Sequence, residues 1–200
     1  MFPYSPQLNI FLFTILGFCS GAIPFSLYLT LWTVGKDIRQ IADGNPGPTN
    51  AWRAAGWSVG LLAYFLEISK AVVPVLLAVH RFGVRGWGIL PVALAPTLGH
   101  VFSPLLKGRG GKGLATILGA WIGISIIEIP LVILIILVPL FLWLRKSLIS
   151  LLLTGGLTLL YLLILRRDPA WIVLLLVQLL LITWTHRSEF PISRRLFPLP

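Results

Sequence analysis

Two short polar stretches carry the side chains that could do chemistry in this otherwise apolar chain. The first is Ala42-Asp43-Gly44-Asn45-Pro46-Gly47-Pro48-Thr49-Asn50-Ala51-Trp52-Arg53. Asn, Thr and Arg side chains donate hydrogen bonds to oxyanions, and glycine lets main-chain N–H groups come close to a ligand. The second is Lys107-Gly108-Arg109-Gly110-Gly111-Lys112-Gly113, which interleaves four glycines with three cations just before a helical run that opens Leu114-Ala115-Thr116. Backbone amides, a helix dipole and cationic side chains in that order make a phosphate cradle. It is not a Walker loop: position 113 is Gly where Ser or Thr is required, and position 106 is Leu where the first glycine belongs. On residue type alone, a plain basic glycine loop at a membrane surface explains it equally well.

The rest of the chain must hold these loops. Of its 200 residues, 57% are hydrophobic and only 11% charged, with a mean hydropathy of +0.93, which is membrane composition. No polar stretch is long enough for a separate soluble domain, so a single domain, 1–200, is expected. The formal charge of +10 sits mostly in short loops, where it sets orientation and meets lipid headgroups or anionic substrates; nucleic acid is not an expected partner. Cys19, the single cysteine, excludes an intramolecular disulfide and a cysteine metal cluster; between Phe18 and Ile23 it is expected to be buried.

The apolar runs read as an all-α polytopic membrane protein of seven transmembrane helices. The first run, Leu8 to Val34, follows a start without Lys or Arg and reads as a retained span rather than a signal peptide, with a kink at Pro24. The second runs from Trp57 to Val79 and carries Glu67 and Lys70; a spacing of three puts both on one helical face, where they pair. The third, Trp87 to Leu106, contains His100. The apolar stretch from Leu114 to Leu144 would be about 46 Å long as one helix, against roughly 30 Å of hydrocarbon. Glu128-Ile129-Pro130 is a turn signal that divides it into a fourth and a fifth span. A loop with Arg145 and Lys146 follows, then spans over Leu148–Leu165 and Ala170–Thr185. Seven spans place eleven Lys and Arg residues on the face that carries both polar stretches and the tail, against four on the other. The first face is then cytoplasmic, with the N-terminus outside and the C-terminus inside. The same topology gathers every anion-binding candidate on one side.

Over nearly its full length the chain resembles the bacterial acyl-phosphate:glycerol-3-phosphate acyltransferases of the PlsY type. The resemblance rests on Ser20-Gly21-Ala22-Ile23-Pro24-Phe25, Asp37-Ile38-Arg39, Gly44 through Asn50 with Arg53, Gly99-His100-Val101-Phe102, Lys107 through Thr116, Ser147, and His186-Arg187-Ser188. It implies an integral enzyme of the bacterial inner membrane with its active site toward the cytoplasm and no metal or organic cofactor. The enzyme would transfer a fatty acyl group from acyl phosphate to the 1-hydroxyl of sn-glycerol 3-phosphate, giving lysophosphatidic acid and phosphate. Oligomeric state is not implied.

The resemblance also distributes roles. Lys112, Arg53 and the amides of Gly110 and Gly111 bind phosphate, with Lys107 and Arg109 in the same cradle. Asn45, Thr49, Asn50 and Ser147 orient the substrates, and His186 binds, polarises or acts as base for the acceptor hydroxyl. His100 is a further binding candidate, with simple packing as the competing reading. Two positions depart from the family pattern: Asp43 stands where Ser is usual, and Glu189 where Asn is usual. An ionised carboxylate in a phosphate site opposes binding unless a neighbouring cation, Arg39 or Arg187, holds it. Two rival readings remain: a transporter or channel for small phosphorylated or anionic solutes using Glu67 and Lys70, and a catalytically weakened family member, with an altered acceptor or a scaffold role, marked by its two acids.

Overall fold

The first apolar run breaks where its proline requires it to. In the computed structural model, which describes residues 5–144, 147–166 and 168–189, helix α1 (Pro6–Ala22) begins with Ser5 accepting the amide of Leu8 and ends at Ile23, held extended by the following Pro24. Helix α2 (Phe25–Val34) then continues to Gly35, whose left-handed φ of 65° closes it. The break leaves the Ile23 carbonyl and the Ser26 amide without helical partners, and both are taken up by side chains of the next helix.

That helix, α3 (Pro48–Leu76), starts earlier than the sequence reading placed its span. Pro48 suits a first helical position, so residues 48–55 form two turns of helix instead of loop. Gly56, at φ 85°, then redirects the chain into the long apolar segment. Trp52 lies against Gly60, whose hypothetical Cβ would come within 2.6 Å of the tryptophan Cβ, so the short piece folds back on the long one. Helix α4 (Ile89–Val101) and helix α5 (Leu114–Ser125) bracket the glycine-lysine loop. The stretch to Leu144 is two helices, as its length demands, but the break comes at Ile126 (φ 61°). Glu128 and Pro130 belong to the opening of α6 (Glu128–Leu144) and do not form the turn itself. Helices α7 (Ser147–Tyr161) and α8 (Pro169–Thr185) follow, the latter capped by Asp168, which accepts the amides of Ala170 and Trp171.

All regular structure among the described residues is helical. Four segments are long and apolar enough to cross a membrane, Pro6–Val34, Pro48–Arg81, Gly86–Leu106 and Leu148–Arg166, and three apolar helices are shorter, Leu114–Ser125, Glu128–Leu144 and Pro169–Thr185. The chain divides into two compact units, Met1–Ile126 and Ile127–Pro200.

Within the first unit, glycines let helices approach to backbone contact. A Cβ on Gly21 of α1 would lie 2.0 Å from the Pro96 carbonyl oxygen of α4, and one on Gly99 of α4 would lie 2.1 Å from the Phe18 oxygen of α1. A Cβ on Gly119 of α5 would lie 2.4 Å from the Ile68 oxygen of α3, and one on Gly123 would lie 2.7 Å from the Val75 side chain. In lipid, where no hydrophobic force drives helices together, such close van der Waals packing supplies much of the association. Cys19 is on the exposed side of α1, contrary to the expected burial, because the seam uses Gly17 and Gly21 on the opposite face. In the second unit, Glu128 accepts from the Tyr161 hydroxyl at 2.8 Å and pairs with Arg166, tying the start of α6 to the end of α7.

Gly99→Val should force α1 away from α4 at the level of the glycine-lysine loop. Overpacking of this kind costs about 1–3 kcal/mol or more, so detergent-solubilised variant protein is expected to melt several degrees below the parent. An unchanged melting temperature would show that the seam is not tightly packed.

Candidate anion-binding site

Beneath the two polar stretches lies a fully buried ionic cluster. Glu67 Oε1 accepts the Ser26 amide at 3.0 Å and the Ser26 hydroxyl at 2.8 Å. Glu67 Oε2 lies 2.6 Å from Lys70 Nζ and 3.4 Å from His100 Nδ1. Lys70 Nζ also donates to the Ile23 carbonyl at 2.8 Å and stands 2.9 Å from His100 Nδ1. The Glu67 and Lys70 side chains are 0% and 1% exposed. Each charge is thus compensated by its partner and by backbone groups that the Pro24 break releases. The expected pairing of Glu67 with Lys70 is present; the participation of Ser26, Ile23 and His100 was not visible in the sequence, since nothing in residue type links positions so far apart.

The first polar stretch is knotted by Asn50, which is 2% exposed. Its amide nitrogen lies within 3.0 Å of the Ile41 oxygen, Asp43 Oδ1 and the Asn45 oxygen, and its own oxygen accepts from Arg53 Nη1 at 2.9 Å. Asn50 therefore holds the loop's shape, and its amide donors are committed to that task. Thr49 bonds the Tyr64 hydroxyl at 2.6 Å, linking the short helical piece to the long one. Arg53 is exposed and uses one of its five guanidinium N–H donors on Asn50.

Asp43 joins this loop to the second one. Its Oδ2 lies 3.0 Å from Lys112 Nζ, and its Oδ1 accepts the Asn45 amide. Partial burial raises the Asp43 pKa, but the Lys112 ammonium and the Asn50 and Asn45 N–H groups outweigh it and hold the carboxyl below its ordinary value. Arg39, an expected partner, is not the cation that holds this acid. Arg39 instead forms a fork with Asp37 at 2.6–3.1 Å, which lowers the Asp37 pKa.

The glycine-lysine loop differs from the expected cradle. The amides of Gly110 and Gly111 donate to the Val101 and His100 carbonyls, and those of Lys107, Gly108 and Arg109 to Pro104, Ser103 and Leu106. The end of α4 has unpaired carbonyls to satisfy, and this loop satisfies them, so these amides are not presented to a ligand. The glycines at 110 and 111 are required for another reason: a Cβ there would strike the His100 carbonyl oxygen at 1.7 Å or its ring nitrogen at 2.2 Å. Main-chain donors are found one step further on, in the first turn of α5, where Leu114 to Thr116 precede the first intrahelical bond. The loop's cations also part company. Lys112 meets Asp43, whereas Lys107 and Arg109 line an open cavity of about 730 Å³ with Asp37, Arg39 and Gly44. His100 is 6% exposed and is engaged by Lys70, so it is a buried support rather than a surface ligand.

In the second unit, His186 closes α8 and is 1% exposed. Its Nδ1 lies 2.9 Å from the Ile182 carbonyl oxygen, which can only accept. The hydrogen is therefore on Nδ1, and Nε2 is the basic nitrogen of the neutral ring. Arg187 donates to the Trp184 carbonyl and lies 4.8 Å over its ring. The side chains of Ser147 and Glu189 fall outside the described residues, as do Arg145, Lys146, Arg167, Arg194 and Arg195.

A family model for glycerol-3-phosphate acyltransferase matches residues 11–195. The chain belongs to that family. It is 34% identical to a glycerol-3-phosphate acyltransferase of Thermus thermophilus, over 88% of this chain and 86% of that protein. It is 44% identical to glycerol-3-phosphate acyltransferase 1 of Thermotoga maritima, an alignment spanning 63% of this chain and 62% of the relative. The crystal structure of PlsY (YgiH), an integral membrane glycerol 3-phosphate acyltransferase, in its glycerol 3-phosphate form superimposes with a TM-score of 0.83 at 30% identity, covering 94% of this chain and 92% of that one. Its lysophosphatidic acid form gives 0.79 at 28%. This chain is accordingly a multi-pass membrane acyltransferase of the glycerol 3-phosphate family.

Asp43 holds Lys112, the cation that the resemblance assigns to a substrate phosphate. Asp43→Asn keeps an acceptor for Asn50 and the Asn45 amide while releasing Lys112. A partly exposed pair at 3.0 Å is worth a modest amount, so the KM for glycerol 3-phosphate should fall by about 2- to 5-fold. Steady-state kinetics in nanodiscs would show this; an unchanged or higher KM would mean that Lys112 does not exchange Asp43 for substrate.

Proposed function

We propose that the chain, acting as one domain over 1–200, transfers a fatty acyl group from acyl phosphate to the 1-hydroxyl of sn-glycerol 3-phosphate. The observation that carries this reading is the Asp43–Lys112 contact at 3.0 Å, which draws the two polar stretches together around an exchangeable cation. The acceptor oxygen attacks the acyl carbonyl carbon, the carbonyl-to-phosphate C–O bond breaks, and inorganic phosphate leaves with the bonding electrons. Acyl phosphate is already activated, so placing two anions and offsetting charge can supply much of the rate without an acyl-enzyme intermediate. Lys112 and Arg53 are proposed to bind phosphate, helped by the first amides of α5, and Lys107 and Arg109 to attract anions at the rim. Asn45, Thr49 and Asn50 fix the loop, and Ser147 is retained as an orienting residue on the resemblance alone. His186 is proposed, on the resemblance, to take the acceptor hydroxyl's proton, with its ring held at Nδ1 by the Ile182 carbonyl. Glu189 remains a departure from the family pattern to which we assign no role.

The orientation is part of the same proposal. Four long and three shorter apolar helices support seven spans in the bacterial inner membrane, with the N-terminus outside, the C-terminus inside and the site toward the cytoplasm. The distribution of Lys and Arg supports that direction.

Purified protein in nanodiscs, given palmitoyl phosphate, should release phosphate only when glycerol 3-phosphate is added, and Lys112→Ala should lower that rate by about 100-fold or more. Acceptor-independent release, or a fully active Lys112→Ala, would contradict the proposal. In a Cys19→Ser background, an impermeant thiol reagent applied to intact spheroplasts should label Arg81→Cys and spare Lys36→Cys. The reverse pattern would invert the topology.

A further inference from the structure

His100 is tied at one ring nitrogen and aimed with the other. Lys70 Nζ has three hydrogens and no lone pair, and its neighbours are the Ile23 oxygen at 2.8 Å, Glu67 Oε2 at 2.6 Å and His100 Nδ1 at 2.9 Å. Nδ1 also lies 3.4 Å from Glu67 Oε2, but its shorter contact is the one to the lysine at 2.9 Å; as the acceptor of that bond it leaves the single hydrogen of the neutral ring on Nε2. That nitrogen points at Gly111, coming within 2.2 Å of where a Cβ would be. The same point lies 3.1 Å from Asn45 Oδ1, which is buried and accepts no hydrogen bond among the described residues. A buried donor and a buried acceptor thus converge on the one residue of the glycine loop that precedes Lys112, and only glycine leaves room between them. The Gly111 amide completes the arrangement by donating to the His100 carbonyl at 3.3 Å.

We propose that His100 is a positioning residue for the acyl-transfer site. The Glu67–Lys70 pair fixes its tautomer, and its Nε2–H, directly or through one water, holds the Asn45 carboxamide and the Gly111 backbone in register so that Lys112 meets the substrate phosphate. The ionic cluster in the helices is in this way coupled to the loops that bind anions. The kinetic consequence rests on the acyltransferase reading, whereas the tautomer does not.

Two measurements on the full chain in nanodiscs separate these. With ¹⁵N-labelled histidine, the chain's three histidines give a small set of ring signals, and those of His100 are assigned by their loss in His100→Gln. The account predicts a protonated Nε2 and a bare Nδ1 in the parent, with this preference lost in Lys70→Met. A protonated Nδ1 in the parent would overturn the proposal whatever the activity. In the kinetic arm, His100→Gln places an amide nitrogen where Nε2 was, and His100→Asn reaches only the Nδ1 position. Misplacing a binding group by a fraction of an ångström should raise the KM for glycerol 3-phosphate about 10-fold in His100→Asn, while His100→Gln stays within about 3-fold of the parent. Equal impairment of the two at equal melting temperature would reduce His100 to a packing residue. A parent protein without turnover would sink the acyltransferase reading and leave the tautomer result standing.

Discussion

Two opposite charges placed in an apolar helix without partners would each cost several kcal/mol, and breaking such a pair typically costs about 3–5 kcal/mol. Glu67 and Lys70 avoid this because the first apolar run is broken at Pro24. The proline removes a donor and holds the preceding residue extended. It thereby leaves the Ile23 carbonyl, which takes only the Phe25 amide from the main chain, and the Ser26 amide outside the helical ladder, the two groups that the lysine and the glutamate bind. Break and ion pair need each other: the charges require backbone dipoles, and the broken helix requires side chains to replace its lost bonds. The glycine seam between α1 and α4 brings His100 into the same cluster. From there the chain reaches the glycine-lysine loop within a dozen residues.

Above this buried cluster, the polar loops commit several of their main-chain amides to internal bonds. The Gly110 and Gly111 amides close the end of α4, those of Lys107, Gly108 and Arg109 bond residues 103–106, and Asn50 commits its donors to the loop around it. What remains for a ligand is cationic side chains and the start of α5. Lys112 is the point where the two stretches meet, and it pairs there with Asp43. If a substrate phosphate binds Lys112 as proposed, this carboxylate holds the loops together in its place and competes with it for the lysine. The departure from the family's usual serine then has a physical consequence without implying loss of activity. The buried pair, sealed against backbone groups and His100, is also poorly suited to carrying a solute, so it lends no support to transport.

Much of this was legible in the sequence. Length and hydropathy set the helical runs, the proline at 24 set the first break, and the spacing of Glu67 and Lys70 set their pairing. The two polar stretches and most candidate residues were visible because glycines and cations stand out against an apolar background. Several features were not legible, for physical reasons. The helical turns at 48–55 depend on Trp52 folding back onto Gly60, a tertiary contact. The commitment of the Gly110 and Gly111 amides follows from how α4 ends, which residue types do not reveal. The choice of Lys112 over Arg39 as partner for Asp43 depends on Arg39 having a closer acid in Asp37. Ser26 and Asn45 acquire their roles only when distant segments meet.

The central claim is that a substrate phosphate takes Lys112 from Asp43 at the junction of the two loops. The most direct test is an experimental structure of the full chain with glycerol 3-phosphate bound. The account predicts a phosphate oxygen about 2.7–2.9 Å from Lys112 Nζ, with the Asp43 carboxylate withdrawn and Asn50 still knotting its loop. A bound phosphate lying elsewhere, with the Asp43–Lys112 contact intact, would contradict it.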